Sequence, residues 1–266
     1  MPQIHPTAIV APAARVADDV VIGPYCVIGE DVVLGAGVRL AAHVVIEGRT
    51  TIGEATRIFP FASIGLEPQD LKYQGEASSL VIGRDTTIRE YVTINPGTAG
   101  GGMVTRVGDD CLLMIGAHVA HDCQIADHVI MANNATLAGH VVIGDYALLG
   151  GLCAVHQFVR IGRHAMIGGM SGVERDVIPY AQVMGNRARL TGLNIIGMQR
   201  RGFSRDEIQG LRRAYQFLFS DGGTLNDRVN EAAERFGGIS PVDDIIAFIR
   251  ADSSRAICQP NGANGG

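Results

Sequence analysis

Tryptophan is absent from this chain of 266 residues, and aromatic residues make up only 5% of it. Bulky aromatic side chains usually fill much of a globular core, so a core that lacks them has to be narrow and lined by small aliphatic residues. Glycine is abundant instead, with 35 residues, and glycine accommodates tight turns. This composition favours a slender, repetitive architecture over a bulky globular core.

Long apolar runs are also missing, because no stretch of 18 apolar residues is present that could cross a membrane. The N-terminus shows no signal peptide. The net charge of −5 gives no reason to expect a nucleic-acid partner. We therefore expect a cytoplasmic protein that has no transmembrane segment and does not bind nucleic acid.

The dominant pattern is a repeat of six residues. From Val107 to Val173 every sixth residue is aliphatic or Met, and four places after each of these stands a small or β-branched residue. The same pattern runs from Ile4 to Ile64. A period of six fits neither a helix nor an ordinary strand and is typical of a parallel β-helix. Three hexapeptides make one triangular coil, so residues 18 apart stack along the axis at about 4.8 Å, the usual strand spacing.

Four of the five cysteines recur at the small, inward-pointing position of this repeat. These four are Cys26, Cys111, Cys123 and Cys153, while Cys258 stands alone near the C-terminus. No CxxC spacing of the kind that binds zinc is present. We interpret the four as small buried apolar residues and expect no metal or other cofactor.

Two polar segments that contain glycine interrupt the repeat, and they are expected to project as loops near residues 66–80 and 96–106. The first carries Lys72, the only lysine beside 21 arginines. With these loops, we assign residues 1–190 to the β-helix. The class is therefore mainly β.

Beyond residue 190 the apolar spacing becomes helical. Ser204 with Glu207 predicts a capping box at the start of one helix, and Thr224 to Phe236 predicts another. A third helix is expected with Ser240 as cap and Pro241 at its first position. We assign residues 191–256 to a small α-helical C-terminal domain and 257–266 to a disordered tail.

The period of 18 stacks polar residues on one edge of the β-helix. His121, Gly139 and Gln157 share a column, and Asp122 lies beneath His140. One isolated histidine in such a turn usually has only a structural role. A column of histidines beside an aspartate favours a catalytic site, and a purely structural solenoid would not need one.

Six motifs give the chain a resemblance to a known family. In order, DLKYQGE, AHVAHDC, MANNATLAGH, GGLCAVHQF, GGMSGV and RRGFSR are similar to motifs of the UDP-N-acetylglucosamine acyltransferases, which carry out the first step of lipid A biosynthesis. The similarity covers essentially the whole chain. It implies a left-handed parallel β-helix, a homotrimer with active sites between neighbours, and transfer of a 3-hydroxyacyl chain from acyl carrier protein to the 3-position of UDP-N-acetylglucosamine.

The resemblance also assigns roles to individual residues. It implies that His121 is a general base, that Asp122 orients it, and that the Gly139 N–H binds the thioester oxyanion. Gly169 would lie at the far end of the acyl groove and leave room for a long chain. Contacts with substrate are implied for Gln69, Asp70, Lys72, His118, His140, His156, Gln157, Asn194, Arg200 and Arg201.

General-base chemistry fits these residue types. An alcohol attacks a thioester readily only when a base removes its proton, and imidazole, with an ordinary pKa of about 6.5, can do so at neutral pH. No Ser or Cys lies in a nucleophile arrangement, which favours direct transfer without an acyl-enzyme.

Several alternatives stay open at this point. Asn95 and Pro96 stand where the family often has His-Arg, and Ile196 stands where an acidic residue is common, so the acceptor could carry a 3-hydroxyl or a 3-amino group. The acyl length and the tail arginines that dock the carrier protein are also open. A second alternative is a hexapeptide acetyltransferase that takes its acyl group from coenzyme A and not from acyl carrier protein. A γ-type carbonic anhydrase shares the repeat but needs three histidines around zinc, and His118 and His121 are too close in sequence for its pattern.

Overall fold

The computed structural model describes residues 1–251 and 253–260. Over these residues the chain forms a left-handed parallel β-helix followed by four helices. The expected fold class is confirmed, although the sequence predicted only three of the four helices. The left-handed coil is an exception to the usual right-handed crossover between parallel strands.

Three parallel sheets form the faces of the triangular coil in the described chain, and each turn of chain adds one strand to each sheet. The first sheet contains β1 (Gln3–Ile4), β4 (Val21–Ile22), β7 (Arg39–Leu40), β10 (Arg57–Ile58), β13 (Thr87–Ile88), β16 (Leu112–Leu113), β19 (Ile130–Met131), β22 (Leu148–Leu149), β25 (Met166–Ile167), β27 (Ala181–Met184) and the antiparallel β28 (Arg189–Leu193). The second sheet contains β2 (Ile9–Val10), β5 (Val27–Ile28), β8 (Val45–Ile46), β11 (Ser63–Ile64), β14 (Thr93–Ile94), β17 (His118–Val119), β20 (Thr136–Leu137), β23 (Ala154–Val155) and β26 (Gly172–Val173). The third sheet contains β3 (Arg15–Val16), β6 (Val33–Leu34), β9 (Arg49–Ile52), β12 (Ser79–Ile82), β15 (Val104–Val107), β18 (Gln124–Ile125), β21 (Val142–Ile143) and β24 (Arg160–Ile161).

The register confirms the period of 18 and accounts for both interruptions. In a regular coil Leu113 pairs with Met131, 18 positions on. Ile58 pairs instead with Ile88, 30 positions on, and Ile82 with Val107, 25 positions on. The extra residues form loop 65–78 and loop 95–103, and each loop is one insertion into an otherwise regular coil.

The core is the axis of the β-helix. The aliphatic residue that opens each hexapeptide and the small residue four places later are buried from Val20 to Val183 wherever the repeat is regular. The four repeat cysteines are buried among them, and their thiols are free. Burial raises the pKa of the Cys123 thiol to about 12 and that of Cys111 to about 11, so both act as small apolar residues.

Three columns of turn residues form the corners between sheets, and many of them are not glycine although their φ is positive. Tyr25, His43, Phe61 and Tyr91 form one such column, with ring centroids 4.9–5.1 Å apart. A left-handed backbone costs a non-glycine residue roughly 1–2 kcal/mol. Stacking of each ring on the ring of the coil below offsets that cost, because aromatic pairs contribute about 0.5–1.5 kcal/mol beyond their buried area.

The C-terminal domain contains α1 (Ile195–Arg200), α2 (Arg205–Leu218), α3 (Leu225–Phe236) and α4 (Ser240–Arg250). Ser204 and Glu207 form the expected capping box of α2, and Thr224 forms a second one with Asp227 at α3. The expectation for α4 was wrong at its first residue, because Ile239 is the cap and makes no side-chain bond. The Asp243 carboxylate accepts instead from Gly238 N. None of the helices in the described chain is long and apolar enough to cross a membrane.

The end of the chain departs from the expected boundaries. The last strand, β28, extends to Leu193, three residues beyond the expected end of the β-helix. Residues 257–260, expected to be disordered, run back along the β-helix, where Ile257 bridges Asp176 and Pro260 bridges Leu190. Cys258 is buried in this segment, which gives the backbone pairing an apolar anchor. Residues 261–266 of the expected tail lie outside the described residues.

Candidate active site

The corner between the second and third sheets carries the histidine column, and we call it the His121 corner (residues 120–123, 138–141 and 156–159). His121 Nδ1 lies 2.8 Å from Asp122 Oδ2, and the Asp122 side chain is fully buried while 16% of the His121 side chain is exposed. The His121 ring is therefore anchored on its inner side and open on its outer side. A partly exposed imidazole held by a buried carboxylate is the geometry of a general base.

The Asp122 carboxylate is held by more than His121. Thr98 N donates to Oδ1 at 2.9 Å and Thr98 Oγ1 donates to Oδ2 at 2.6 Å. Asp122 N donates to Thr105 Oγ1 at 2.7 Å. Loop 95–103 therefore covers the carboxylate and supplies its remaining hydrogen bonds.

Gly139 stands one coil above His121, as the sequence predicted. A Cβ at this position would lie 2.5 Å from His121 Cε1 and 2.6 Å from Nε2, so only glycine lets the ring occupy this place. Within the described residues no acceptor takes up the Gly139 N–H. A free backbone donor beside the imidazole can bind an oxyanion that forms there.

His118 and His140 flank the central pair. His118 Nδ1 lies 2.7 Å from Thr93 Oγ1, and burial, followed by the neighbouring charge of His121, lowers the pKa of His118. His140 stacks on Phe158 with ring centroids 4.4 Å apart, and its pKa is lowered chiefly by burial. Both rings thus favour the neutral form, in which they can donate to or accept from a polar substrate.

Loop 65–78 approaches the same corner with two charged side chains. The charges of Asp70 and Lys72 act on His140, which places both near the column. Lys72 and Gln69 are exposed, and Asp70 Oδ1 accepts from Lys72 N at 3.0 Å. Glu76 Oε1 accepts from Ala99 N at 2.8 Å and thereby ties this loop to loop 95–103.

His156 and Gln157 occupy the next coil and are exposed. The His156 Nδ1 atom lies 2.8 Å from a guanidinium nitrogen of Arg255 in the C-terminal segment. Sequence reasoning missed this neighbour, because it placed the segment near Arg255 apart from the β-helix.

Asn194, Arg200 and Arg201 lie together elsewhere, around a groove of about 810 Å³ on the first sheet. Asn194 caps α1, accepting from Gly197 N at 3.1 Å and donating to His164 O at 2.9 Å, so its amide holds the backbone of the groove. Arg201 lies over the Tyr146 ring at 5.1 Å. The groove is lined by Ile130, Leu148, Met166, Gln182, Leu193, Asn194, Ile195, Ile196, Gly197, Arg200 and Arg201.

The His121 corner and this groove lie at different corners of the β-helix. Tyr146, under Arg201, belongs to the corner between the third and first sheets, seven residues along the coil from Gly139. At about 3.3 Å per residue, seven residues of extended chain span at most about 23 Å between the two corners. The structure therefore divides the predicted site residues into two sets at different corners.

A path of small side chains leaves the His121 corner along the second sheet. Outward residues there pair in the order His118, Thr136, Ala154 and Gly172, so side-chain bulk falls from coil to coil. Gly169, at the adjoining corner, is exposed, and a Cβ there would lie 3.2 Å from Gly151 O. This strip leads to Gly169 over about three coils, or about 14 Å.

His121, Asp122 and His140 bring one potential metal-ligand atom each within 4.8 Å of one another, the one such group found among the described residues. A γ-type carbonic anhydrase uses three histidines. Here the third group is a carboxylate whose oxygens already accept from Thr98 and His121. The hydrogen bonds of the corner fit proton transfer better than metal binding.

Two positions that depart from the family pattern, Asn95 and Ile196, lie near the two sets of predicted site residues. Asn95 is buried beneath loop 65–78, where its Nδ2 donates to Leu66 O and Glu67 O, at 3.1 and 3.3 Å. Its Oδ1 has no hydrogen-bond partner among the described residues. Ile196 is 64% exposed at the mouth of the groove.

Besides Arg255, sequence reasoning also missed Thr98 and Gly101 at this site. A Cβ at Gly101 would lie 2.0 Å from Asp122 Cγ. The only sequence signal is the run of glycines at 100–102, in an insertion that directly precedes the coil of His121.

Comparisons with known proteins agree with this architecture. A family model described as UDP N-acetylglucosamine O-acyltransferase, domain 2, matches residues 176–258, and a bacterial transferase hexapeptide model matches residues 13–48 and 105–139. The chain is 52% identical to the acyl-[acyl-carrier-protein]–UDP-N-acetylglucosamine O-acyltransferase of Caulobacter vibrioides, over 97% of this chain and 98% of the relative. It is 51% identical to the enzyme of the same name from Myxococcus xanthus, over 94% and 97%. The crystal structure of the Francisella novicida UDP-N-acetylglucosamine acyltransferase matches with a TM-score of 0.93 and 38% identity, over 98% of this chain and 95% of that one.

Proposed function

The chain belongs to the UDP-N-acetylglucosamine O-acyltransferase family, and on this premise we propose how its own residues perform the reaction. It is an acyltransferase that takes an acyl chain from acyl carrier protein and places it on UDP-N-acetylglucosamine, the first step of lipid A biosynthesis. The acyl chain carries a 3-hydroxyl group, and the acceptor atom is at the 3-position of the sugar. The observation that carries the mechanism is the His121–Asp122 pair beside the free Gly139 N–H. A carrier-protein donor also fits the cytoplasmic location expected from the sequence.

His121 is the general base. Its Nε2 takes the proton of the sugar hydroxyl as the oxygen attacks the thioester carbonyl carbon, and the Gly139 N–H donates to the oxyanion that forms. Collapse of the tetrahedral intermediate breaks the C–S bond, and the proton on Nε2 passes to the leaving thiolate. Asp122 stabilises the transient imidazolium and fixes the ring orientation.

Transfer is direct, without an acyl-enzyme. The nearest thiol in sequence is Cys123, which is buried and whose pKa is raised to about 12 by that burial. A thiol of this kind is not a nucleophile at neutral pH.

His118, His140, His156 and Gln157 position the sugar and the thioester around His121, and loop 65–78 adds Gln69, Asp70 and Lys72 from one side. The acyl chain lies along the strip of small residues on the second sheet, towards Gly169. Asn194, Arg200 and Arg201 form the nucleotide side, where two guanidinium groups suit a diphosphate and the apolar first-sheet side chains suit the nucleoside.

The enzyme is a homotrimer in which the groove of one chain completes the His121 corner of another. The separation of the two residue sets within one chain supports this arrangement, because a nucleotide-sugar has to meet both. Trimers about a threefold axis bring different corners of equivalent chains together.

Product analysis tests the proposed function. The purified protein is given a series of 3-hydroxyacyl carrier proteins with UDP-N-acetylglucosamine or its 3-amino analogue, and products are identified by mass spectrometry. An ester of UDP-N-acetylglucosamine is expected. Amide formation with the analogue alone would assign the amine acceptor instead, and transfer from coenzyme A thioesters but not from carrier protein would contradict the donor.

A further inference from the structure

We infer that Thr98 is a positioning residue of the acyl-transfer site, holding the Asp122 carboxylate so that His121 keeps its Nε2 lone pair towards the substrate. This inference rests on the proposed role of His121 as the base. Thr98 lies in loop 95–103, and the reaction described above does not use it.

Thr98 clamps both oxygens of the carboxylate. Its backbone N–H donates to Asp122 Oδ1 at 2.9 Å and its hydroxyl donates to Oδ2 at 2.6 Å. Both side chains are buried, with Thr98 3% exposed. Two donors from one residue fix the rotation of the carboxylate plane, which a single bond from His121 would leave free.

The hydroxyl and the imidazole share one oxygen. Oδ2 accepts from Thr98 Oγ1 and lies 2.8 Å from His121 Nδ1. Because the clamped carboxylate can only accept, the hydrogen-bond network assigns the proton to Nδ1 and the lone pair to Nε2. The hydroxyl also draws charge from Oδ2, so the carboxylate stabilises the imidazolium less than an unclamped one would.

The loop is shaped to bring Thr98 to this place. Gly101 passes so close to Asp122 that a Cβ would overlap the carboxylate. Thr98 O accepts from Gly101 N at 3.1 Å and from Met103 N at 3.0 Å, which folds the loop back over Asp122. The glycine run therefore serves to close the loop on the carboxylate and keep water from it.

Removal of the hydroxyl changes no charge around His121. The titratable groups that face the pair are His118 and His140, with Asp70 and Lys72 acting on His140 from loop 65–78. His140 Nδ1 is 3.9 Å from the same Asp122 oxygen. All of them stay in place when Thr98 becomes valine, so a shift in the pH profile reports the lost hydrogen bond.

The test compares Thr98→Val, which keeps the side-chain shape, with Thr98→Ser, which keeps the hydroxyl. Thr98→Val should lower kcat by about tenfold with KM nearly unchanged, because the buried hydroxyl positions the base and does not meet substrate. The acid limb of its kcat profile should move to higher pH by about half a unit, because the less compensated carboxylate favours the imidazolium. Thr98→Ser should restore the wild-type profile.

Thr56→Val is the matched control, since the Thr56 hydroxyl is also buried and donates to Gly83 O at 2.9 Å, in a coil far from His121. It should lower the melting temperature but leave the pH profile unchanged. If valine at 98 prevents folding, Thr98→Ala removes the same hydroxyl without bulk and is interpreted in the same way.

Failure of the inference differs from failure of the proposed base. If His121→Ala is inactive while folded Thr98→Val keeps the wild-type kcat and acid limb, Thr98 has no positioning role and the base assignment stands. If His121→Ala remains active, the base assignment and this inference are both wrong.

Discussion

At the scale of the residue, the absence of a side chain decides what His121 can do. Gly139 leaves the ring room above the coil, and its N–H donates to no acceptor among the described residues, so it stays free for the proposed oxyanion. The sequence predicted this neighbour by arithmetic alone, because Gly139 stands 18 positions after His121. It could not predict Thr98, because the insertion that carries Thr98 breaks the period from which positions are computed.

We expect Gly139→Ala to lower kcat by more than about a hundredfold, because a methyl group 2.5 Å from the His121 ring must displace the proposed base. Gly29→Ala is the control in a distant coil, since its Cβ would lie 3.3 Å from Glu47 Cα, a tight contact that requires a shift of only a few tenths of an ångström. Steady-state kinetics and circular dichroism of both variants check this. Full activity of Gly139→Ala would show that the ring lies elsewhere in the working enzyme.

At the scale of the element, columns of turn residues join the β-helix to the helical domain. His164 stacks between Tyr146 and Tyr180, and Tyr180 donates to Asp244 of α4. The position of His164 in a turn was predictable from the repeat. Its burial was not predictable, because Phe203, in the link between α1 and α2, packs edge-on against the His164 ring, and the sequence predicts helical faces but not where the helices dock.

We expect His164 to make stability depend on pH. Burial, followed by the charges of Arg163 and Arg201, lowers the pKa of His164 to about 4 from 6.5. Between pH 6.5 and pH 4 the unfolded chain therefore binds a proton that the folded chain does not. The free energy of unfolding falls as the pH drops through this range, by up to about 3 kcal/mol. At higher pH the contribution is fully present.

His164→Phe keeps the ring stack and removes the proton. The fall in melting temperature from pH 7.5 to pH 5 should be smaller in this variant than in the wild type, whereas His128→Phe, in the same column but with a side chain 40% exposed, should behave like the wild type. Equal pH dependence in all three proteins would show that His164 is hydrated or paired in solution.

In the proposed function, the strip of small residues along the second sheet sets the length of the acyl chain. Gly169→Met should shift preference towards shorter donors, because each CH₂ denied burial loses about 0.8 kcal/mol before any clash. Rates with carrier proteins bearing a series of chain lengths check this. Unchanged selectivity would place the end of the groove elsewhere.

At the scale of the whole molecule, the predicted site residues lie at two different corners of one chain, and in the proposed trimer each chain contributes to two sites. The repeat made the solenoid and the His121 column predictable, since both follow from a local period. The repeat could not predict that residues 257–260 pair with the β-helix, nor how far Arg201 lies from His121. Both depend on how distant segments of the chain pack.

We expect two inactive variants to restore one another. His121→Ala and Arg200→Ala/Arg201→Ala trimers, unfolded together and reassembled at equal amounts, should recover about one quarter of wild-type activity, because random assortment pairs an intact corner with an intact groove in that share of interfaces. If the mixed protein is no more active than either variant alone, both halves of the site lie in one chain. Sedimentation equilibrium of the wild type should show a trimer, and an active monomer would rule the arrangement out.

The central claim is that His121 is the base and its neighbouring histidines are not, and single-turnover transfer measures this directly. The rate is followed from pH 5 to 9 in His121→Ala, His118→Ala and His140→Ala, with trimer and melting temperature verified for each. We expect His121→Ala to lose more than about a hundredfold in rate and the acid limb with it, while the other two variants retain that limb. A near-normal rate in His121→Ala, with loss of transfer in folded His118→Ala or His140→Ala, would contradict the account.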